Sequence, residues 1–319
     1  MVFYVYMQPE VVTEAKEGGP YAVQALIAIL RGFLQNCCIA EFDDYRDSLK
    51  TAVNALPEDF NRTELKTVLS KLARLHRFIY CLEADYMSGQ PWTDQALQQS
   101  RACLIDLLLL EAAAQDRRPD GDAEVCGLAT YQNTEFERNR FEVASDGKTF
   151  SPGEYGETDF LDIVFLKILR NARGDIVVYD CILGEKFGDN FEHTMKEFFR
   201  WIERILPDPN ECSLAIHCGT PKKATPAHIK GQLASWRTGR VANMRVQIHY
   251  YKAVDGKSLM PHQRFILTDQ FAVEVDRGFD FLDRKTHRNR DVSLNTKSHS
   301  ETSELLASYA GNLHAVHAL

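Results

Sequence analysis

The chain has no Cys-x-x-Cys pair, although eight cysteines occur among its 319 residues. Cysteines that bind structural zinc usually come in closely spaced pairs, so the spacing predicts no zinc site. Most of the cysteines instead lie inside apolar runs, where a thiol behaves as a small hydrophobic side chain. Cysteine usage of this kind favours a reducing compartment. We therefore expect a cytoplasmic protein with no metal and no cofactor.

The sequence also lacks an apolar run that could cross a membrane. Its longest runs, around 104–110 and 163–169, are much shorter than the roughly 20 residues that a transmembrane helix needs. The first residues, Met-Val-Phe-Tyr-Val-Tyr, have neither the basic region nor the long apolar stretch of a secretory signal. We expect no transmembrane span.

An excess of positive charge is absent, because the formal net charge is −8. This balance excludes a protein coated with basic surface, so any contact with nucleic acid must come from a local patch. Residues 284–297 form such a patch, with Asp291 as their one acidic residue. The segment suits a polyanion, and the alternative interpretation is an exposed, solvated loop. Its cations are Arg284, Lys285, Arg288, Arg290 and Lys297.

The length allows two domains. The first third is predicted to be helix-rich after one opening strand at 2–7, and the charged stretch 115–122 contains Pro and Gly, which marks a boundary. We predict a helix-rich N-terminal domain at 1–118 and an α/β domain with a basic C-terminal extension at 124–319. Helices of the first domain are expected at 20–35, 63–82 and 93–114.

The second part alternates between the helical and the strand pattern. Strands alternating with helices predict an α/β fold, with a sheet that is flanked by helices. Two further strands are expected within 261–282. The other predicted strands are 175–179, 213–217 and 244–251, and the predicted helices are 160–172, 191–206, 226–238 and 301–319.

The most informative motif is His262-x-Arg264-x4-Asp269, which is followed by a strand and then by Arg277-Gly278. A phosphodiester reaction can use a nucleophilic imidazole, a cation on the phosphate oxygens and a carboxylate that orients the imidazole. On one strand, residues at i and i+2 share a face, so we expect His262 and Arg264 to point together. Gly278 has no side chain and permits a close approach of the backbone to a ligand.

This spacing resembles the His-x-Lys-x4-Asp signature of the phospholipase D superfamily, with Arg264 in the position of the lysine. The resemblance implies that His262 is the nucleophile, that Arg264 holds the phosphate and that Asp269 orients His262. Catalytic members bring two such motifs together, and this sequence offers one, which implies a homodimer. The function implied is a metal-independent nuclease acting on DNA or RNA, as an effector of a bacterial antiphage defence system.

From about 136 to 282 the order of elements also resembles the phospholipase-D-like C-terminal domain of MIT-domain trafficking proteins and of related bacterial proteins. That domain has a similar His-x-Arg and is understood as a binding domain. The alternative function is therefore a non-catalytic module for a phosphate, a phospholipid or a protein, with a protein partner on the N-terminal domain. The phosphate-binding residues expected on either interpretation are Arg264, Arg277, Gly278, Arg284 and Lys285.

Two further groups of residues are candidates for a functional site. Glu41, Asp43 and Asp44 follow a β-like run and could bind a divalent cation through oxygen ligands, as in a metal-dependent nuclease. The alternative is a solvated loop or a helix cap. His217 and His249 lie at strand ends and could line the same mouth as the motif, or could be ordinary packed histidines.

Overall fold

A computed structural model describes residues 1–81, 91–151, 165–185, 187, 191–206, 208–255, 257–279 and 291–318. The chain forms two compact units, one of Val2–Ser145 and one of Met1 with Asp146–Leu319. We call them the N-terminal unit and the C-terminal unit. The division falls after 145 and not within 115–122, because a strand at Glu124–Cys126 pairs with Leu107–Leu109 of the N-terminal unit.

The N-terminal unit is built on a five-stranded sheet in the order β3-β2-β1-β4-β5. All of its neighbouring strands are parallel, which is typical of α/β folds whose strands are buried on both faces. Its strands are β1 (Phe3–Met7), β2 (Cys37–Glu41), β3 (Phe78–Tyr80), β4 (Leu107–Leu109) and β5 (Glu124–Cys126). Its helices are Glu10–Glu17, Pro20–Asn36, Tyr45–Asn54, Phe60–Arg74, Trp92–Gln98 and Glu135–Asp146.

This unit contains more strand than the sequence pattern predicted. The helices expected at 63–82 and 93–114 end earlier, at Arg74 and Gln98, and β3 and β4 follow them. A short, fully buried apolar run does not alternate, so periodicity cannot distinguish it from a buried helix. A positive φ angle at His76 (52°) follows the end of the first helix at Arg74, and another at Leu104 (55°) lies between the second helix and β4.

The C-terminal unit is built on an eight-stranded mixed sheet in the order β15-β9-β8-β7-β12-β13-β14-β6. The three strands β7, β8 and β9 are parallel, and the remaining pairs are antiparallel. Its strands are β6 (Lys148–Phe150), β7 (Asp175–Tyr179), β8 (Ser213–Gly219), β9 (Arg245–Tyr251), β12 (Phe265–Leu267), β13 (Ala272–Val275), β14 (Val292–Lys297) and β15 (Leu313–Ala318). The short strands β10 (Ala253–Val254) and β11 (Lys257–Ser258) form a separate hairpin.

The predicted alternation of strands and helices is confirmed through most of this unit. The helices Cys181–Glu185, Phe191–Ile205, Pro226–Trp236 and His299–Ser308 intervene between strands, and residues 165–169 are also helical. The α/β class, with a large mixed sheet flanked by helices and a second parallel sheet, is therefore confirmed. In the part of the chain that the structure describes, no helix has both the length and the apolarity of a membrane span.

The predicted helix at 301–319 is wrong in its second half. The helix ends at Ser308, and after a single 3-10 turn at Ala310–Asn312 the chain continues as β15, which pairs antiparallel with β9. Side chains of β15 alternate between partly buried and exposed, the period-2 pattern of a strand with one solvated face.

The two faces of β7, β8 and β9 differ in composition. One face carries a continuous apolar layer whose members are all buried: Ile176, Val178, Leu214, Ile216, Cys218, Val246, Ile248 and Tyr250. The opposite face carries Tyr179, His217, His249 and Tyr251. β12 pairs with β7, with Phe265 opposite Tyr179. This second face therefore continues into residues 262–269, which we call the motif segment.

Candidate functional site

The His262 motif surrounds a strand and does not lie on one. His262 and Arg264 precede β12, and Asp269 lies in the turn between β12 and β13, which Thr268 N closes by donating to Phe271 O (2.8 Å). His262 is exposed, whereas Arg264 is partly buried. The expectation that His262 and Arg264 share one face of a strand therefore does not hold, because the regular strand begins at Phe265.

Arg264 is held by the carboxylate of Asp180. Its Nε lies 3.5 Å from Asp180 Oδ1, and Asp180 is fully buried. This contact is an ion pair without a hydrogen bond from Nε, and the guanidinium donates through Nη1 to the backbone oxygen of Asp276 (2.6 Å). Asp180 in turn accepts hydrogen bonds from the backbone N–H groups of Ile182 (2.9 Å) and Phe279 (3.1 Å). A buried charge requires such a partner, so the ion pair has a structural role.

Gly278 makes room for this ion pair. Its φ of +75° is a conformation that L side chains rarely adopt. A carbon added at its Cβ position would also collide with the Asp180 carboxylate and with the aliphatic part of Arg264. The glycine is therefore explained by the packing of Arg264 and Asp180, without a ligand.

The structure does not bring Asp269 to His262. Asp269 Oδ1 accepts a hydrogen bond from the backbone N–H of Arg173 (3.1 Å). The three residues of β12 stand between the two motif ends, and at about 3.3 Å per residue this strand alone spans about 10 Å. Arg277 lies directly before Gly278 and is partly buried. Arg284 and Lys285 lie outside the described residues.

A row of aromatic side chains crosses the same sheet next to the motif. Tyr179, His217 and His249 are register partners on the parallel strands β7, β8 and β9. The rings of Tyr179 and His217 are stacked with centroids 4.1 Å apart, and those of His217 and His249 are stacked at 4.2 Å with an angle of 11° between their planes. We call Tyr179, His217 and His249 the ring row.

Hydrogen bonds connect the ring row to its neighbours. His217 Nδ1 lies 3.0 Å from the hydroxyl of Tyr251, and that hydroxyl lies 3.4 Å from the hydroxyl of Tyr179. His249 Nε2 lies 3.3 Å from Oε1 of Gln247, an exposed residue two positions earlier on β9. Both imidazoles are therefore held in defined orientations.

Both imidazoles are neutral at physiological pH. Burial lowers the pKa of His217 from 6.5 to about 3, and the neighbouring His249 lowers it further in the same direction. Burial also lowers the pKa of His249. Burial raises the pKa values of Tyr179 and Tyr251, which stay protonated.

Sequence patterns identified His217 and His249 as residues of strand ends but could not place them against each other. Their contact depends on the register of β8 against β9, and parallel strands that are distant in sequence give no local signal for register. Asp180 was missed for a similar reason. Its position directly after the buried strand β7 was the one available signal, since a carboxylate in such a place needs a partner.

The acidic cluster of the N-terminal unit has protein partners. Both carboxylate oxygens of Glu41 accept from Arg46, Nη2 to Oε1 at 2.6 Å. Asp43 accepts from the hydroxyl of Tyr80, and Asp44 starts the helix Tyr45–Asn54 with a φ of 59°. Among the described residues, no group of three or more His, Cys, Asp or Glu side chains is arranged to hold a metal ion. Asp44 makes no side-chain cap hydrogen bond to that helix, so the described geometry favours the loop interpretation.

Neither a scan against protein-family models nor a search of curated proteins found a match for this chain. The resemblance to the phospholipase D superfamily therefore depends on the motif and on the order of elements.

Proposed function

We propose that the C-terminal unit is a phospholipase-D-like module that binds nucleic-acid phosphodiesters without cleaving them. The observation that carries this proposal is the pairing of Arg264 with the buried Asp180. A guanidinium whose charge is already matched by a carboxylate is a poor clamp for a transition-state phosphate. The separation of His262 from Asp269 by β12 also favours binding over cleavage.

The basic segment at 284–290 supplies the cations in this proposal. Four residues separate it from 276–279, which the Asp180 carboxylate and the Arg264 guanidinium fasten to the sheet through Phe279 N and Asp276 O. The ion pair thus fixes the last described residues that precede Arg284, Lys285, Arg288 and Arg290 in the sequence. Because the whole chain has a net charge of −8, such a local patch is the natural point of contact for a polyanion.

Equilibrium binding of fluorescent DNA and RNA oligonucleotides at several salt concentrations tests this proposal. Each phosphate contact contributes about −0.7 to the slope of log K against log salt for single strands and about −0.9 for duplexes. Changing Arg284, Lys285, Arg288 and Arg290 together to Gln should reduce the size of this slope by about 3 and weaken binding. A matched control changes four cations elsewhere in the same unit, the exposed residues Lys223, Lys230, Arg245 and Lys257, to Gln. Equal losses in both variants, or no binding by the parent, would refute the proposal.

A second candidate function is phosphodiester hydrolysis by a homodimer. The exposure of His262 favours it, because an exposed imidazole can meet its counterpart in a second copy. Incubation of labelled DNA or RNA in EDTA separates the two functions. Cleavage that disappears in His262→Ala would support the dimeric nuclease and the antiphage role, whereas oligonucleotide binding without such cleavage supports the binding module.

The N-terminal unit is proposed to hold a protein partner. Tyr21 is 87% exposed and Phe60 is 73% exposed, and exposed aromatic side chains are typical anchors of protein interfaces. Their chain neighbours Pro20 and Asn61 line a pocket together with Val23 and Leu56. We propose a cytoplasmic location, since all eight cysteines are among the described residues and none is in a disulfide.

A further inference from the structure

The ring row presents the edges of its imidazoles, not their faces. Neighbouring strands lie about 4.8 Å apart, and His217 and His249 are stacked across that spacing at 4.2 Å with nearly parallel planes. Rings stacked in the direction between strands must stand upright on the sheet. Their distal edges, which carry Nε2, therefore point away from the backbone side by side.

Two parallel imidazoles are poorly placed to bind one metal ion. A metal accepts the nitrogen lone pair, which lies in the plane of the ring. The ring centroids are 4.2 Å apart and the planes differ by only 11°, so one ion cannot lie in both planes close to both rings. One oxyanion can instead accept two parallel N–H···O hydrogen bonds, one of its oxygen atoms from each imidazole edge.

Among the described residues, none provides an anion next to the two rings. The groups in contact with them are Tyr179 from β7 and Tyr251 and Gln247 from β9. From β15, Val316 lies opposite His249 in register and is 47% exposed. No carboxylate lowers or raises the pKa of either imidazole within the described residues. A histidine kept as a structural ion-pair partner would have such a carboxylate.

We propose that His217 and His249 together bind one phosphate group, with one phosphate oxygen on each imidazole edge. The inference rests on the proposed function for the identity of the molecule that carries this phosphate, which is a nucleic acid. Gln247 lies beside His249 and is exposed, so its amide can turn and donate to the same phosphate. The hydroxyl of Tyr251 fixes the orientation of His217 through the hydrogen bond at Nδ1.

Phosphate binding at this site is coupled to proton uptake. Burial and the proximity of the two rings hold the pKa of His217 at about 3 in the free protein, and Tyr179 and Tyr251 carry no charge that offsets this effect. A bound phosphate supplies the missing negative charge and raises the pKa of both rings. Affinity should therefore increase as the pH falls from 8 towards 6.

Nuclear magnetic resonance of the full chain, with histidine labelled by ¹⁵N in the ring, tests the site with inorganic phosphate as the probe. We expect phosphate to shift the ring nitrogens of His217 and His249 together, with one saturation curve for both. His217→Gln and His249→Gln should each weaken phosphate about ten-fold, the effect of losing one hydrogen bond to a charged group. His314→Gln, which changes an exposed histidine of β15, is the matched control and should leave the affinity unchanged.

Three results would overturn the inference: no shift of either ring, a shift of one ring alone, or a loss of phosphate affinity in His314→Gln as large as in His217→Gln and His249→Gln. Saturable coordination of Zn²⁺ by both rings with no response to phosphate would also overturn it. Repeating the titration with a short oligonucleotide separates the two proposals. If phosphate binds to both rings and the oligonucleotide does not, the phosphate site stands while nucleic acid as its carrier fails.

Discussion

Acid should destabilise the C-terminal unit through His217, and the effect can be worked out from its pKa. The folded pKa of about 3 lies below the ordinary value of 6.5. Between these values the unfolded chain binds more protons than the folded chain, so stability is fully present above pH 6.5 and is lost as the pH falls towards 3. pH 5 lies about 1.5 units below the unfolded pKa of 6.5, and at about 1.36 kcal/mol per unit the free energy of unfolding falls by about 2 kcal/mol. Partial exposure of the ring makes this an upper value.

Urea unfolding at pH 8 and pH 5 measures this loss, with His217→Gln compared against the parent chain. Glutamine does not titrate, so the variant should lose up to about 2 kcal/mol less than the parent between the two pH values. Its stability at pH 8 can differ because the stacking with Tyr179 and His249 changes. The comparison depends only on the difference between the two pH values in each protein.

The His314→Gln variant is the control, because His314 is exposed and its removal should leave the pH dependence as in the parent. A ¹⁵N titration of His217 adds a direct measurement. If that imidazole titrates near 6.5, or if His217→Gln and the parent lose equal stability, the ring is not desolvated as the structure has it. The reasoning about a neutral pair of stacked imidazoles would then be refuted.

Two further predictions concern the ion pair between Arg264 and Asp180. Arg264→Ala should destabilise the unit by about 2–4 kcal/mol in urea unfolding, because it leaves Asp180 buried without its cation. This is slightly less than for a fully buried pair, since the Arg264 side chain is 21% exposed. Arg264→Ala combined with Asp180→Asn should restore part of this loss, and an equal or larger loss in the double variant would contradict the structural role. Gly278→Ala should cost more than 1 kcal/mol in the same assay, from a φ of +75° and the collision with Asp180 and Arg264. Gly174→Ala is its control, since Gly174 has a φ of +119° but open space at the added carbon, and equal losses at the two glycines would show that the collision is absent.

Much of the fold could be predicted from the sequence because helices and alternating strands leave a local pattern. The strand Asp175–Tyr179 and the helix Pro20–Asn36 are examples, predicted close to their observed ends. The pattern failed where burial removes the alternation, as in Leu107–Leu109, which lies within an apolar run that was predicted to be helical. It also failed at Leu313–Ala318, whose strand conformation depends on pairing with a partner more than 60 residues earlier in the chain.

The candidate site could be predicted less well, because its chemistry depends on contacts between distant segments. The sequence placed a histidine, an arginine and an aspartate within eight residues, and proximity along the chain suggested a common site. Arg264 instead forms an ion pair with the carboxylate of Asp180, which is 84 positions away in the sequence. Conversely, His217 and His249 are 32 positions apart and come into contact through strand register alone. Spacing within one segment is therefore weak evidence for a catalytic group when buried charges elsewhere compete for it.

The end of β7 connects the two features that matter most in this unit. Tyr179 and Asp180 are consecutive residues: the first stacks on His217, and the second pairs with Arg264 at the start of the motif segment. Because Phe265 lies opposite Tyr179 across the β7–β12 pair, removing the ion pair should also shift the ring row. Arg264→Ala is therefore expected to change the ¹⁵N signals of His217, although the two side chains have no contact in the described structure. An unchanged His217 signal in that folded variant would mean that the motif segment and the ring row act independently.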